Sequence, residues 1–212
     1  MIPSNPLRAP SSPGGRALTE YDRRMPHAGP DDTVRGLFFN GVFSTVTAVG
    51  GEQALRQCHL LLDDPMFHRR FVDFSSYPVR DFLRLASAAV AVLAPQMGGM
   101  PQVHQRIGEQ AIDDFFRSMA GRTLLLLSGN SPQRILGHLP SGYSTAVSYG
   151  KRTVTMLGDT AARITYQDDL MPPLHNEGVL LGILRAVNAK NPQVRSTPRG
   201  LLDCEYTLSW EA

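Results

Sequence analysis

The chain has 212 residues, with 21 basic and 19 acidic side chains, a net charge of +2 and a hydrophobic fraction of 42%. That composition excludes a disordered chain, and the near-neutral balance leaves no electrostatic footprint for nucleic acid. The longest uncharged apolar stretch, residues 85–99, is interrupted by Pro95 and falls short of the ~20 residues a membrane span needs. Two cysteines, Cys58 and Cys204, make neither a disulfide framework nor a zinc site, and the N-terminus has no apolar signal segment. A cytoplasmic protein is expected.

Residues 1–32 are rich in Pro, Gly, Ser and Arg, and hold six of the sixteen prolines. Leu7, Leu18 and Tyr21 are the few apolar anchors, too little surface to offset the entropy of ordering. A disordered tail that folding can dispense with is expected at 1–32, followed by a single α+β domain over 33–212.

The composition changes at Val34. Leu37, Phe38, Phe39, Val42, Phe43, Val46 and Val49 recur at helical spacing, although 34–39 also reads as a short strand. Gly50–Gly51 ends that element. Residues 52–62 read as a second helix and Asp63–Asp64–Pro65 stops it. Tyr77–Pro78 opens the next helix, with Asp81 in its first turn. Its continuation LASAAVAVLA carries no charge, as in a central buried helix. Residues 104–119 form the clearest amphipathic helix, with Ile107, Ala111, Ile112, Phe115, Phe116 and Met119 on one face. Residues 123–127 read as either helix or strand. Ser131–Pro132 is an N-cap followed by proline, opening a short helix to about His138.

Beyond Gly142 the pattern turns to β. Residues 152–157 and 161–166 flank Gly158–Asp159–Thr160 as a hairpin. Residues 175–188 are helical, and Gly178 and Gly182 leave a shallow face that another backbone can approach. Cys204, Tyr206, Leu208 and Trp210 alternate with polar residues in a strand buried on one face. The expected class is α+β: an N-terminal helical half, then a three- to four-stranded antiparallel sheet with a crossing helix.

No nucleophile elbow, dinucleotide loop or phosphate loop occurs. The six histidines show no ligand spacing, so no metal site is expected. His138 stands out, because it ends a short helix beside Leu139–Pro140 in an apolar and aromatic segment. The paired acids Asp113–Asp114 read as solvated, and Asp168–Asp169 as a strand terminator. Several aromatic residues could line an internal apolar pocket.

The strings VRGLFFNGVFSTV, YPVRDFLRLASAAV, RIGEQAIDDFFRSMAGRTLLLL, LPSGYSTAVSYG, EGVLLGIL and DCEYTLSW resemble an uncharacterised family largely confined to myxobacteria and rich in paralogues. The likeness spans about residues 34–211. More distantly, the chain resembles the superfamily of haem nitric-oxide/oxygen-binding domains, 4-vinyl-reductase-like small-molecule-binding domains and transport-particle tethering subunits. Tyr77–Pro78 with Asp81, Ile107–Gly108 with Phe115–Phe116, and Glu177–Gly178 carry that likeness. It implies a mostly non-enzymatic sensor or assembly module that binds haem, another apolar ligand or a partner chain.

In the haem branch the proximal histidine precedes a proline-containing stretch, which His138-Leu139-Pro140 matches most nearly. That branch also carries a Y-x-S-x-R propionate clamp. Neither Tyr143-Ser144-Thr145-Ala146-Val147 nor Tyr149-Gly150-Lys151-Arg152-Thr153 reproduces it. No cofactor is therefore expected, and a haem-based gas sensor with His138 as axial ligand is the alternative. A small enzyme using buried acids is a third reading. The leading expectation is a non-enzymatic cytosolic sensor or interaction module, taking an apolar small molecule against Phe82, Phe116, His138, Tyr143 and Tyr166. A homodimer or paralogue heterodimer is expected through the helix bearing Val42, Phe43 and Val46.

Overall fold

The computed structural model describes residues 17–211. The expected tail lies outside the described residues as far as residue 16. From Thr19 onward the expectation is corrected. Thr19 caps helix α1 (Glu20–Arg24) in a reciprocal box with Asp22. Ser87 ties the cap to the body, donating to Asp22 Oδ1 at 2.7 Å and meeting the Thr19 hydroxyl at 2.9 Å. Tyr21 is fully buried, and Ala28 also enters the core. One large aromatic and one capping box anchor a segment whose average composition reads as unstructured.

A two-stranded ribbon, β1 (Thr33–Arg35) with β2 (Ser76–Pro78), precedes the two long helices α2 (Gly36–Leu62) and α3 (Val79–Met97). Helix α2 joins the two expected helices across a kink at Gly51, whose φ of +66° suits glycine. Asp63 then ends it in the left-handed conformation. Helix α3 is the central rod: Leu83, Leu85, Ala86, Ala89, Val90 and Leu93 are all inaccessible to solvent. Helix α4 (Met100–Arg117) buries Val103, Ile107, Ala111, Ile112 and Phe115. Three short helices follow: α5 (Met119–Ser128), α6 (Pro132–Gly137) and α7 (Leu139–Ala146). The ambiguous stretch 123–127 is helical. No single helix among the described residues is long and apolar enough to cross a membrane, and α3 with α4 would do so only as a pair bent by 117°.

The sheet contains β3 (Lys151–Gly158), β4 (Ala161–Gln167), β5 (Lys190–Pro198) and β6 (Cys204–Glu211), in the order β3-β4-β6-β5 and antiparallel throughout. Helix α8 (Pro173–Ala186) crosses between β4 and β5. Thus the α+β architecture read from sequence is the one observed. Strand β5 had no clear signature. It is an edge strand with Pro192, Pro198 and a left-handed Asn191, where the ladder register shifts. One face of the sheet, including Ile164, Tyr166, Tyr206 and Leu208, is buried.

Helices α4 and α8 cross at glycines. A methyl on Gly178 would strike the Gln105 carbonyl oxygen, and one on Gly108 would strike the His175 carbonyl oxygen. The shallow face of α8 thus receives α4 of the same chain.

The core divides into two clusters. One unites α1, α2 and α3; the other unites the sheet, α8 and the end of α4. Val42 and Val46 are buried in the first cluster and Phe43 packs against it. The apolar surplus that suggested a dimer interface is therefore taken up within one chain. The exposed large apolar side chains are elsewhere, among them Leu60, Phe74, Met119, Leu126 and Leu127.

Candidate functional site

A cavity of about 80 Å³ lies at the seam of the two clusters. Helix α4 contributes Ala111, Ile112 and Phe115; helix α8 contributes Val179 and Ile183; Phe82 and Met171 come from the other cluster. These are the inward positions of amphipathic helices, so the pattern that builds the core also builds the cavity wall. One water needs roughly 10–15 Å³, so the space suits a molecule of a few heavy atoms.

Three lining residues, Tyr149, His175 and Asn176, carry buried polar groups. Asn176, 1% exposed, donates through Nδ2 to Asp169 Oδ2 at 2.7 Å and to the Tyr206 hydroxyl at 3.2 Å. Its Oδ1 has no partner among the described residues. The Tyr149 hydroxyl is also buried and unpartnered. Both residues line the cavity.

Behind them Arg152 pairs with Asp169 at 3.1 Å, with both side chains only 3% exposed. Arg152 also donates to the Tyr149 carbonyl, and its guanidinium lies 4.5 Å from the Tyr143 ring centre and 5.5 Å from that of Tyr149. The Tyr166 hydroxyl donates to that of Tyr143 at 2.9 Å. Burial pushes the phenols of Tyr143, Tyr149 and Tyr166 above their ordinary value, so all three stay protonated at neutral pH. Burial also raises the Asp169 carboxyl, against the opposing pull of Arg152, the Met171 N–H and Asn176.

His175 lies on the cavity lining, and its Nδ1 meets the Tyr21 hydroxyl at 2.8 Å. Burial, with His104 nearby, pushes its ring down to about 3. It is a neutral imidazole under all ordinary conditions.

Of the five residues expected at a pocket, Phe82, Phe116 and Tyr143 line this cavity. Tyr166 stands behind Tyr143, to which it is bonded. His138 is half-buried at the junction of α6 and α7 and does not line the cavity. The acid pairs also differ from expectation. Asp113 is exposed, whereas Asp114 is mostly buried with an unpartnered Oδ2 facing Gly41. Asp169 is no mere strand terminator. It accepts from Arg152, Asn176 and the Met171 N–H, which makes it a structural counter-ion.

Sequence reasoning left Arg152, Asp169 and Tyr149 out of the pocket and passed over His175 and Asn176. One signal was available. Arg152 shares a strand face with Val154 and Met156, and an arginine on an inward face needs a carboxylate partner.

The fold is that of H-NOX domains. The crystal structure of an H-NOX protein from S. oneidensis in the Fe(II)NO ligation state superposes with a TM-score of 0.66 at 12% identity, over 84% of this chain and 99% of that one. A Cs H-NOX mutant gives 0.68 at 10%, over 84% and 97%. The Fe(II) unliganded H-NOX protein from K. algicida gives 0.63 at 11%, over 84% and 97%. No curated protein sequence matches the chain. A family profile described as "Protein of unknown function (DUF2378)" matches residues 27–211, and the chain belongs to that family.

These likenesses correct the expectation that there is no cofactor. It rested on the missing Y-x-S-x-R string, yet H-NOX proteins of the same fold are seen in Fe(II)NO and Fe(II) unliganded states. A missing string alone does not dispose of haem. As built, the cavity does not fit a haem. It has room for several waters rather than a macrocycle, and Asp169 already neutralises Arg152.

Proposed function

We propose that the chain is a non-enzymatic sensor module whose seam cavity takes a compact, largely apolar small molecule. One observation carries the reading: the cavity lies between the two core clusters, so an occupant touches the helical half and the sheet half together. Ligand sites are mostly apolar concavities with a few placed polar groups, and this cavity has that make-up. The H-NOX-like fold supports a sensor role by analogy. The absence of catalysis is supported by Asp169, which is held by three donors and is not free to exchange protons with a substrate.

Native mass spectrometry of the purified chain tests the reading. The expected spectrum shows a retained organic mass that disappears in Ile183→Trp, where a larger side chain fills the cavity. A chain that carries no added mass and binds no small apolar compound would refute it. A stoichiometric Soret band after reconstitution, lost in His138→Ala, would replace it with a haem sensor.

A further inference from the structure

We propose that an open groove bounded by α2, residues 70–74, α4 and α5 is the docking surface for an acidic amphipathic helix of a partner protein. The groove is separate from the seam cavity, so it stands or falls independently of the ligand reading.

The groove has a volume of about 530 Å³. Leu37, Phe74 and Met119 line it together with Arg70, Arg117 and Arg122. Phe74 is 62% exposed and Met119 80%, so two large apolar side chains there stand in water. The apolar stripe continues along α5. Leu124 and Leu125 pack inward on the sheet cluster, which leaves Leu126 and Leu127 outside, 84% and 63% exposed. They follow Met119 at a spacing of seven and eight residues, which puts all three on one helical face. A surface helix ordinarily turns its apolar side inward, and an exposed apolar patch of this kind marks an interaction site.

The charges set the sign of the partner. Asp73 and Asp114 also line the groove, but both are held within the chain. Asp73 Oδ1 accepts from Asn40 at 2.8 Å; Asp114 Oδ1 accepts from Gln110 at 2.9 Å and from Arg117 at 3.3 Å. The side chains of Arg70 and Arg122 make no hydrogen bond or ion pair among the described residues. Free guanidinium groups pair with carboxylates, often through two parallel hydrogen bonds. A concave seat with apolar side chains and unpaired arginines matches a helix that carries leucine-like residues at i, i+4 and i+7 with Asp or Glu beside them. A flat bilayer would leave the concavity unfilled.

The groove and the cavity share their walls. Leu37 and Asp114 line the groove, while the next residues, Phe38 and Phe115, line the cavity. A helix seated in the groove therefore rests on the same elements that enclose the cavity.

Fluorescence anisotropy on the full chain tests this with a labelled amphipathic peptide of leucine and glutamate. Two control peptides replace every glutamate by lysine or every leucine by serine. The glutamate peptide should bind at least tenfold tighter than either control, and more weakly as salt is raised. Its affinity should fall at least tenfold in Arg70→Glu/Arg122→Glu and in Met119→Ser/Leu126→Ser. All four side chains are exposed, so circular dichroism should show an unchanged fold. Equal binding of the lysine peptide would overturn the acidic partner, and unchanged affinity in the two variants would overturn the groove. Capture by phosphatidylserine vesicles in place of the peptide would replace the partner helix with a membrane surface. A dimer mass in light scattering, lost in the same variants, would replace it with a second copy of the chain. No binding of the glutamate peptide would refute the proposal and leave the seam cavity untouched.

Discussion

The Tyr21 hydroxyl meets Nδ1 of His175 at 2.8 Å across 154 positions of sequence. Tyr21 belongs to the short N-terminal helix, and His175 lies on the cavity lining. The Tyr21 ring also sits 5.0 Å, centre to centre, from that of His104. A segment that looks expendable by composition thus reaches the wall of the candidate site.

Removal of residues 1–30 should therefore lower the melting temperature markedly, because Tyr21 and Ala28 leave the core with it. Tyr21→Phe keeps the ring and loses one buried hydrogen bond, at a cost of about 1–2 kcal/mol. Differential scanning calorimetry measures both. An unchanged melting temperature in the truncated chain would contradict the placement of α1.

The crossing of α4 and α8 gives a second test. Gly178→Ala sets a methyl against the backbone oxygen of Gln105, and backbone cannot swing aside as a side chain can. A loss of about 2 kcal/mol or more is expected, in line with overpacking elsewhere. Gly137→Ala is the control: nothing lies within 4 Å of its added methyl, so it should be neutral or slightly stabilising. Equal effects of the two substitutions in urea melts would show that the helices do not cross there.

The buried histidines predict an acid-side loss of stability. Burial pushes His104 down to about 4 and His175 to about 3, from an ordinary 6.5. The unfolded chain takes up protons near pH 6.5 that the native protein refuses until it is far more acidic. Stability is therefore full above about pH 7 and declines as pH falls from 6.5 towards 4, at ~1.4 kcal/mol for each unit of separation between the two pKa values. His59, partly buried and also shifted down, adds a smaller part. His104→Phe should flatten the profile. A melting temperature constant from pH 7.5 to 5 would contradict this.

The Arg152–Asp169 pair should show strong coupling. Arg152→Met leaves a buried carboxylate without its counter-ion, at a cost of about 3–5 kcal/mol. Adding Asp169→Asn should recover part of that loss. A double-mutant cycle in urea measures the coupling, and additive losses would show that the pair does not interact.

The architecture was legible because its signals are periodic. The apolar face of α4 and the alternation Cys204, Tyr206, Leu208, Trp210 each specify one element and one buried side. The candidate site was only partly legible. Phe82, Phe116 and Tyr143 could be guessed as aromatic lining, but the polar groups join β3, the segment after β4, and α8. Asp169 and Arg152 meet only once the hairpin has formed and α8 has docked. Tyr21 fell to composition averaging, since one buried ring decides the fate of a whole turn. His138 looked like a ligand because of its neighbours in sequence, and the junction of α6 and α7 leaves it off the lining.

The most direct measurement is a crystal structure of the chain under xenon pressure. Xenon enters apolar cavities of this kind and reports their position without hydrogen bonding. The expected result is a strong xenon peak at the seam, among Phe82, Phe115, Val179 and Ile183, absent in Ile183→Trp. A seam without xenon, with side chains of the two clusters filling it, would contradict the central claim that the two halves of the core enclose a ligand site.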